Sequence, residues 1–291
     1  MAEIIVKSED NISTVNTDTT VTTDTTDTTD TTEMSHILMD FHTVQGTTIK
    51  SLFESMKEIL NDVNLRFDKS GLKVTAMDGN KCACVHIKLD ASKFEKYYCF
   101  RDDVVAGVNM VSLYKLIKTI GGKDTVNMTI YKKTPYELNI NFHNDQKNTE
   151  TRSVLKLLDI NEDIYSIPDV EFDSQINMPS VDFQKYCRDL SIISEVLTIK
   201  SSNKTLELIA DGDFAKQHIS IQQTCNGMNI SKSTKVVEGK YSIKYLNLFT
   251  KSTNLSNIVE LYLMTGYPLI MLYYVGNLGK LQYCLAPKTT D

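Results

Sequence analysis

The sequence has no apolar run approaching the roughly 20 residues that a membrane-spanning helix needs. The best candidates, such as Pro268 to Val275, are only as long as a strand, and the N-terminus MAEIIVKSED lacks the apolar core of a secretory signal. The six cysteines form no CxxC pair, and Cys82 and Cys84 have no histidine at ligand spacing. We therefore predict an intracellular protein with reduced thiols, no membrane contact, no metal site and no cofactor.

The motifs of common enzyme classes are also missing. The sequence contains neither GxxxxGK[ST] nor GxGxxG, so it indicates no nucleotide pocket. Its five histidines do not stand beside a serine, cysteine or carboxylate in a known nucleophile motif. Asp78-Gly79 and Asp211-Gly212 could be read as paired catalytic acids, but turns explain them better. Catalysis is the main rival class of function, and we predict that the protein is not an enzyme.

Hydrophobic residues make up 41% and charged residues 23% of the 291-residue chain, which is typical of a globular protein. The exception is the segment TDTTVTTDTTDTTDTTE at positions 17–33, which has almost no apolar surface to bury. We predict that residues 1–35 are a disordered acidic tail.

The remaining sequence repeats itself with a period of about 133 residues. At an offset of 133 or 134, nine pairs of similar residues fall into register with a single slip. Two copies of one domain explain this most simply, at 36–157 and 174–291, joined by an acidic connector at 158–173. The paired residues are Lys118/Lys251, Val126/Val259, Met128/Leu261, Ile130/Leu263, Pro135/Pro268, Leu138/Met271, Leu65/Ile199, Leu72/Leu206 and Val74/Leu208.

Each copy has the same predicted order of elements. Apolar residues at helical spacing predict helices over about 46–60, 109–120, 179–193 and 241–252. Alternating apolar residues predict short strands, such as those around Leu65, Val74, Met128 and Ile140. Few helices and many short antiparallel strands predict an α+β fold.

The net charge of −6 argues against a protein that is basic overall, yet each predicted helix carries a basic pair on one face. Ordinary solvated helix faces with internal salt bridges would explain any single pair. Four such pairs at equivalent places in a duplicated fold indicate a basic surface that contacts phosphates without reading bases. The pairs are Lys50 with Lys57, Lys115 with Lys118, Lys185 with Arg188, and Lys244 with Lys251.

Four segments carry a family resemblance: FEKYYCFRDDVVAGVNMVSLYKLIK, FQKYCRDLS, KYLNLFTKSTNLS and LQYCLAPK. They resemble the eukaryotic-type DNA sliding clamp, the proliferating cell nuclear antigen family, and the likeness extends from about Phe41 to Lys288. The resemblance implies duplicated clamp domains in a closed homotrimeric ring, with helices lining the hole and antiparallel sheets outside. It implies a processivity factor that encircles double-stranded DNA and tethers the replicative polymerase and other DNA enzymes. The eight basic residues above then correspond to the positions that line the hole.

The resemblance also implies two protein-binding surfaces. Partner peptides carrying a plug of aromatic residues, from the polymerase, the clamp loader and other proteins, would bind a groove at the connector. Edge strands over about 152–157 and 216–223 would pair between subunits. The implied groove residues are Met77, Cys84, Tyr165, Ile167, Pro168, Pro268, Ala286 and Pro287, and the implied interface residues are Arg152, Val154, Leu157, Lys216, Ile219 and Ile221.

Departures from the family pattern leave alternatives open. Cys84 replaces a larger aliphatic residue and Cys284 a tyrosine, so the preferred peptide can differ, and Met77 and Cys84 could be ordinary core residues. The chain could instead be one subunit of a heterotrimeric clamp, or a clamp homologue used in damage signalling or late transcription. The low arginine count and the unusual tail point to a divergent protist or a large DNA virus, with replication in the nucleus or a viral compartment.

Overall fold

The computed structural model describes residues 35–161 and 170–288, so all but the last residue of the predicted tail lies outside the described residues. Strands and helices follow one order twice. The first repeat contains β1 (Ile37–Thr43), α1 (Gly46–Met56), β2 (Asp62–Asp68), β3 (Gly71–Met77), β4 (Ala83–Asp90), β5 (Lys96–Cys99), β6 (Val104–Asn109), α2 (Met110–Ile117), β7 (Thr125–Tyr131), β8 (Thr134–Asn144) and β9 (Thr149–Lys156). The second contains β10 (Ser174–Pro179), α3 (Ser180–Leu190), β11 (Val196–Ser202), β12 (Thr205–Asp211), β13 (Lys216–Gln222), β14 (Asn229–Ser233), β15 (Val237–Ser242), α4 (Ile243–Phe249), β16 (Ile258–Leu263), β17 (Leu269–Val275) and β18 (Gly279–Leu285).

The internal duplication predicted from the period is confirmed. Strands β2 and β11 begin 134 residues apart, and β7 and β16 begin 133 residues apart, which are the two offsets read from the sequence. The α+β class is confirmed as well, because antiparallel strands dominate and four short α-helices accompany them. The boundary residues of the two domains stay a prediction.

The strands form three antiparallel sheets. One is β5-β1-β7-β8-β9, one is β13-β12-β11-β15, and the largest is β14-β10-β16-β17-β18-β4-β3-β2-β6. The largest sheet combines strands of both repeats, because β18 pairs with β4 along seven residues of each strand. The two repeats therefore share one continuous sheet and one continuous apolar core.

The helices are shorter than predicted. The first ends at Met56 rather than Leu60, because the amide groups of Ile59 and Leu60 both donate hydrogen bonds to the Met56 carbonyl. The second and third are shorter at both ends, and Pro179 is the last residue of β10 rather than part of a helix. The fourth spans Ile243–Phe249 and continues as a 3₁₀-helix over Thr250–Asn254.

Each helix buries one apolar face against the sheets. In α3 the buried residues Phe183, Cys187 and Leu190 recur at helical spacing, while Lys185 and Arg188 between them are exposed. The Asn109 side chain caps α2 by accepting a hydrogen bond of 2.9 Å from the Ser112 amide. Helices of 7 to 11 residues are too short to be stable alone, so this packing holds them in place.

The chain entering the connector is anchored to the largest sheet. The Leu158 amide donates to the Gly107 carbonyl at 2.8 Å, beside the edge strand β6. The Asn64 side chain donates to the Ile160 carbonyl at 3.0 Å. Gly107 is required here because a Cβ atom would lie 2.2 Å from the Leu158 carbonyl oxygen.

Candidate nucleic-acid interface and protein-binding surfaces

The four helices form one contiguous layer. Helix α1 contacts α2 and the 3₁₀-helix at 250–254, while α3 contacts α4 and the same 3₁₀-helix. Side chains join the neighbours: the Tyr114 hydroxyl donates to Glu54 at 2.6 Å, and the Gln184 amide donates to the Thr250 carbonyl at 2.8 Å. The layer therefore brings the helices of both repeats onto one surface.

The eight predicted basic residues all lie on this layer. Six are exposed: Lys115, Lys118, Lys185, Arg188, Lys244 and Lys251. Four of these residues have a side-chain ammonium group that makes no hydrogen bond or ion pair with any described residue, so it is available to bind an anion. They are Lys115, Lys118, Lys185 and Lys244. Arg188 lies 3.6 Å from Asp189, and 72% of its side chain is exposed.

The other basic residues are engaged within the protein. The Lys50 ammonium donates to the Ile120 carbonyl at 2.5 Å and is half-buried. Lys57 and Lys251 both donate to the carboxylate of Glu58. These hydrogen bonds, with that of Lys251 the stronger, lower the pKa of Glu58. Since Lys57 is in the first repeat and Lys251 in the second, Glu58 links the two repeats. Sequence reasoning missed this role because the residues are 193 positions apart.

The predicted interface residues lie on two edge strands. Strand β9 ends the five-stranded sheet and β13 ends the four-stranded sheet, with no described strand beyond either. Leu157, Ile219 and Ile221 are partly buried and pack against the core, whereas Val154 is 55% exposed. Arg152 is held by Glu150 through two hydrogen bonds of 2.8 Å, and Lys216 by Asp211 at 2.8 Å.

The predicted groove residues that are described lie on or beside one row of the largest sheet. Met77 pairs with Cys84, Cys84 with Cys284, and Cys284 with Ile270. Directly paired residues point to the same face, and here that face is opposite the core, so the row is not part of the core interior. Ile270 was missed because only the strand register places it there. Pro268, Ala286 and Pro287 flank the ends of these strands, and Tyr165, Ile167 and Pro168 lie outside the described residues.

Asp78 holds the turn between β3 and β4, as predicted, whereas Asp211 is the last residue of β12 and its carboxylate binds the Lys216 side chain. The Asp78 carboxylate accepts hydrogen bonds from the amide groups of Asn80, Cys82 and Ala83, and from the Tyr245 hydroxyl at 2.5 Å. Burial raises the pKa of Asp78, but these four donors outweigh it and lower the pKa below the usual 3.8. Tyr245 belongs to the second repeat, so Asp78 also connects the repeats.

The titratable residues that could bind a metal are dispersed. In residues 35–161 and 170–288 no three histidine, cysteine or carboxylate side chains come together as metal ligands. His143 lies beside Asp145, while His218 lies 3.3 Å from Glu207 on a different sheet. None of the helices in those ranges is long and apolar enough to cross a membrane.

Comparison with known proteins places both repeats in one family. Residues 38–165 match the family model "Proliferating cell nuclear antigen, N-terminal domain", and residues 166–288 match the corresponding C-terminal domain. A probable DNA polymerase sliding clamp of Paramecium bursaria Chlorella virus 1 is 37% identical over 256 residues, covering 87% of this chain and 97% of the relative. The proliferating cell nuclear antigen of Dictyostelium discoideum is 30% identical, covering 86% and 99%, and a Drosophila melanogaster relative, proliferating cell nuclear antigen 2, is 31% identical, covering 87% and 99%.

Proposed function

Because the chain belongs to the proliferating cell nuclear antigen family and is a DNA sliding clamp, we propose that three copies close into a ring around duplex DNA. The observation that carries the proposal is the pairing of β18 with β4 inside the chain. Strands β9 and β13 are the equivalents of β18 and β4 in the other repeat, and both end their sheets unpaired in the described chain. A second copy that repeats the internal pairing would join β9 to β13.

The internal pairing also predicts the register between subunits. Aligning the repeats through their hairpins places Lys156 at the position of Cys284 and Lys216 at that of Cys84. We therefore expect Lys156 opposite Lys216, and by antiparallel alternation Ser153 opposite Ile219. In this register Leu155 and Ile219 share the core face, in agreement with their partial burial against the core in the single chain.

This contact is heterologous, because it joins two different edges of the same chain. Such a contact generates a ring when the rotation between copies closes, and a filament when it does not. Pairing would also remove both exposed sheet edges, which are otherwise sites of aggregation. Three copies of a duplicated chain would give a ring of six similar domains, as the family resemblance implies.

The helix layer is the proposed DNA-facing surface. Its free lysines present positive charge on a protein whose net charge is −6, which would attract phosphates to this face. Long exposed lysine and arginine side chains suit contacts with phosphates, which do not depend on sequence. Such loose contacts would let the ring slide along the duplex.

The row of Met77, Cys84, Cys284 and Ile270 is the proposed floor of the groove for partner peptides of the polymerase, the loader and other DNA enzymes. Its cysteines make the floor less bulky than a leucine and a tyrosine would. We expect Ile167→Ala in the connector to weaken binding of an aromatic-plug peptide several-fold without changing ring assembly. Fluorescence anisotropy of a labelled peptide measures this, and an unchanged affinity would move the groove elsewhere.

One pair in the proposed register is unfavourable and supports a second candidate. Lys156 and Lys216 would be like charges directly opposite each other, which destabilises a strand pair. The ion pair of Lys216 with Asp211 offsets part of this repulsion. A ring completed by a different subunit, with an acidic residue at one of these positions, would remove it. The heterotrimeric clamp is therefore the alternative that we retain.

Light scattering during gel filtration distinguishes the two assemblies. A homotrimer of the 32.9 kDa chain would have a mass of about 99 kDa, whereas a chain that needs a different subunit would stay near 32.9 kDa. Encirclement is tested by loading the protein on nicked circular DNA with a clamp loader and then cutting the circle. Release on cutting supports a closed ring, and retention on the linear product contradicts it.

A further inference from the structure

Two cysteines meet where the repeats share their largest sheet. Cys84 of β4 lies directly opposite Cys284 of β18, and neither is in a disulfide bond. They are 200 residues apart in the sequence, so only the strand pairing brings them together. The corresponding pair at the proposed subunit junction is Lys156 with Lys216, so the cysteines are specific to the junction inside the chain.

The strand pairing brings Cys84 and Cys284 within the Cα range of a disulfide bond. Opposite residues along the β4–β18 ladder alternate between hydrogen-bonded and non-hydrogen-bonded pairs. Two hydrogen bonds at the ends of the ladder fix this alternation: the Ala286 amide donates to the Cys82 carbonyl (3.0 Å), and the Asp90 amide donates to the Leu278 carbonyl (2.9 Å). By this alternation Cys84 and Cys284 are a hydrogen-bonded pair, whose Cα atoms lie about 5.5 Å apart. Disulfides usually span Cα distances of about 4.4–6.8 Å, but their Cβ atoms lie about 3.5–4.5 Å apart, which is closer than in a hydrogen-bonded strand pair. The two strands must therefore approach each other locally when the bond forms, and a bond strained in this way is reduced more easily.

The neighbouring exposed cysteine is less well placed. Cys82 directly precedes β4, two residues before Cys84, and is therefore diagonal to Cys284, at a Cα distance of about 7–8 Å. Cys99 and Cys187 are buried, and burial raises the pKa of both thiols. Cys84 and Cys284 are thus the best-placed pair among the six cysteines.

The surroundings give the two sulfurs different roles. The Cys84 thiol donates to the Val85 carbonyl at 3.9 Å and lies beside Cys284, and the Gln282 side chain donates a hydrogen bond to the Cys284 sulfur at 3.8 Å. The neighbouring Cys84 thiol is the main reason why the pKa of Cys284 is lowered despite its burial. Cys284 is half-buried and accessible from the face of the sheet opposite the core, whereas Cys84 is only 9% exposed. Cys284 is therefore suited to react first and Cys84 to react with the product.

We propose that Cys84 and Cys284 form a reversible redox site that a hydroperoxide closes into a disulfide. The Cys284 thiolate attacks the peroxide, whose O–O bond breaks, giving a sulfenic acid and one molecule of alcohol or water. The Cys84 thiol then attacks the sulfenic sulfur, the S–O bond breaks, and the departing hydroxide takes the Cys84 proton and leaves as water. The two sulfurs together lose two electrons, which the peroxide accepts, and an external dithiol restores both thiols.

The bond would join the two repeats covalently across their shared sheet. It would close a loop of about 200 residues and so restrict the unfolded chain strongly. It would also convert two thiols in the floor of the proposed groove into a disulfide, and this second consequence rests on the proposed function. Oxidation would then change the affinity of the clamp for its partner peptides.

The bond is tested on the full chain treated with hydrogen peroxide. After quenching and unfolding, we expect four alkylatable thiols instead of six and a linked peptide containing Cys84 and Cys284. Dithiothreitol should restore all six. The matched control Cys82→Ser should form the same link, whereas Cys84→Ser should accumulate a sulfenic acid on Cys284 that dimedone traps. A link that involves Cys82 or Cys225, or sulfinic acid on Cys284 beside a reduced Cys84, would overturn the proposal.

A labelled aromatic-plug peptide gives a second measurement. We expect its dissociation constant to change by at least about threefold on oxidation of the parent chain and not at all for Cys284→Ser, which lacks the thiol that reacts first. Equal affinity of the oxidised and reduced parent chains would overturn the effect on the groove. If the peptide binds neither form, the proposed groove is wrong, while the mass measurement still decides whether the redox site exists.

Discussion

Two lysine pairs on the helix layer carry the same charge but differ in what they contact. Lys115 and Lys118 are exposed and contact no acidic side chain in the described ranges. Lys50 is bound to the Ile120 carbonyl, and Lys57 is bound to Glu58 and lies over the Tyr114 ring at 4.8 Å. We predict that replacing Lys115 and Lys118 by glutamine weakens DNA binding far more than the same change at Lys50 and Lys57.

The size of the effect follows from counterion release. Each lysine that neutralises a phosphate contributes about 0.9 to the slope of log affinity against log salt concentration. In a homotrimer, Lys115 and Lys118 present six ammonium groups, so the slope should fall by up to about 5. Six contacts correspond to about a thousandfold change in affinity between 50 and 200 mM salt. Lys50 and Lys57 already interact with protein groups, so we expect less than half of this change.

The assay is equilibrium binding to a short linear duplex, onto which a closed ring threads without a loader. It is repeated at several salt concentrations for the parent protein and both double variants. The two variants lose the same charge, so each controls for the other, and light scattering verifies that both still assemble. Equal slopes for the two variants would refute the distinction between free and engaged lysines. An unchanged slope of log affinity against log salt concentration for the Lys115 and Lys118 variant would show that DNA does not contact the helix layer.

Three further predictions concern assembly and stability. Ile219→Asp should shift the mass of the protein towards that of one chain, because it places a charge on the core face of the proposed junction. The control Ser220→Asp places the same charge on the opposite face and should leave the mass unchanged. Equal masses for the two variants would contradict the register. Tyr245→Phe removes one hydrogen bond to Asp78 and should lower the free energy of unfolding by about 1 kcal/mol at neutral pH. Because the pKa of Asp78 is lowered in the folded state, the stability it confers is complete above its usual value of 3.8 and is lost as the pH falls through the folded value. Urea unfolding should therefore show a smaller difference at pH 3 than at pH 7, and an equal difference would argue against an ionised Asp78. Tyr273→Phe should raise the free energy of unfolding by about 1 kcal/mol, since the Tyr273 hydroxyl is buried without a partner among the described residues, and a lower melting temperature would contradict this.

Local patterns were sufficient for much of the fold. Alternating apolar residues identified β2, β3, β7 and β8, because a strand with one buried face must alternate whatever it pairs with. The offsets of 133 and 134 identified the duplication, because corresponding strands of the two repeats bury corresponding apolar residues. The helix ends were less accurate, since hydrogen bonds in the last turn decide whether a helix continues. The absence of enzyme motifs and the basic pairs on the helices narrowed the function, and the family resemblance then identified it.

Tertiary structure decided what each candidate residue contacts. The sequence determined that Lys50, Lys57 and Lys251 lie on helix faces, but only the folded chain binds Lys50 to a carbonyl and both other lysines to Glu58. The family resemblance placed Cys84 in the groove, but only the strand pairing shows that it lies opposite Cys284. Pairing between distant strands depends on register, and a shift of one residue would turn every side chain to the other face. That long-range register is fixed by the packing of the whole core, which no short segment of sequence contains.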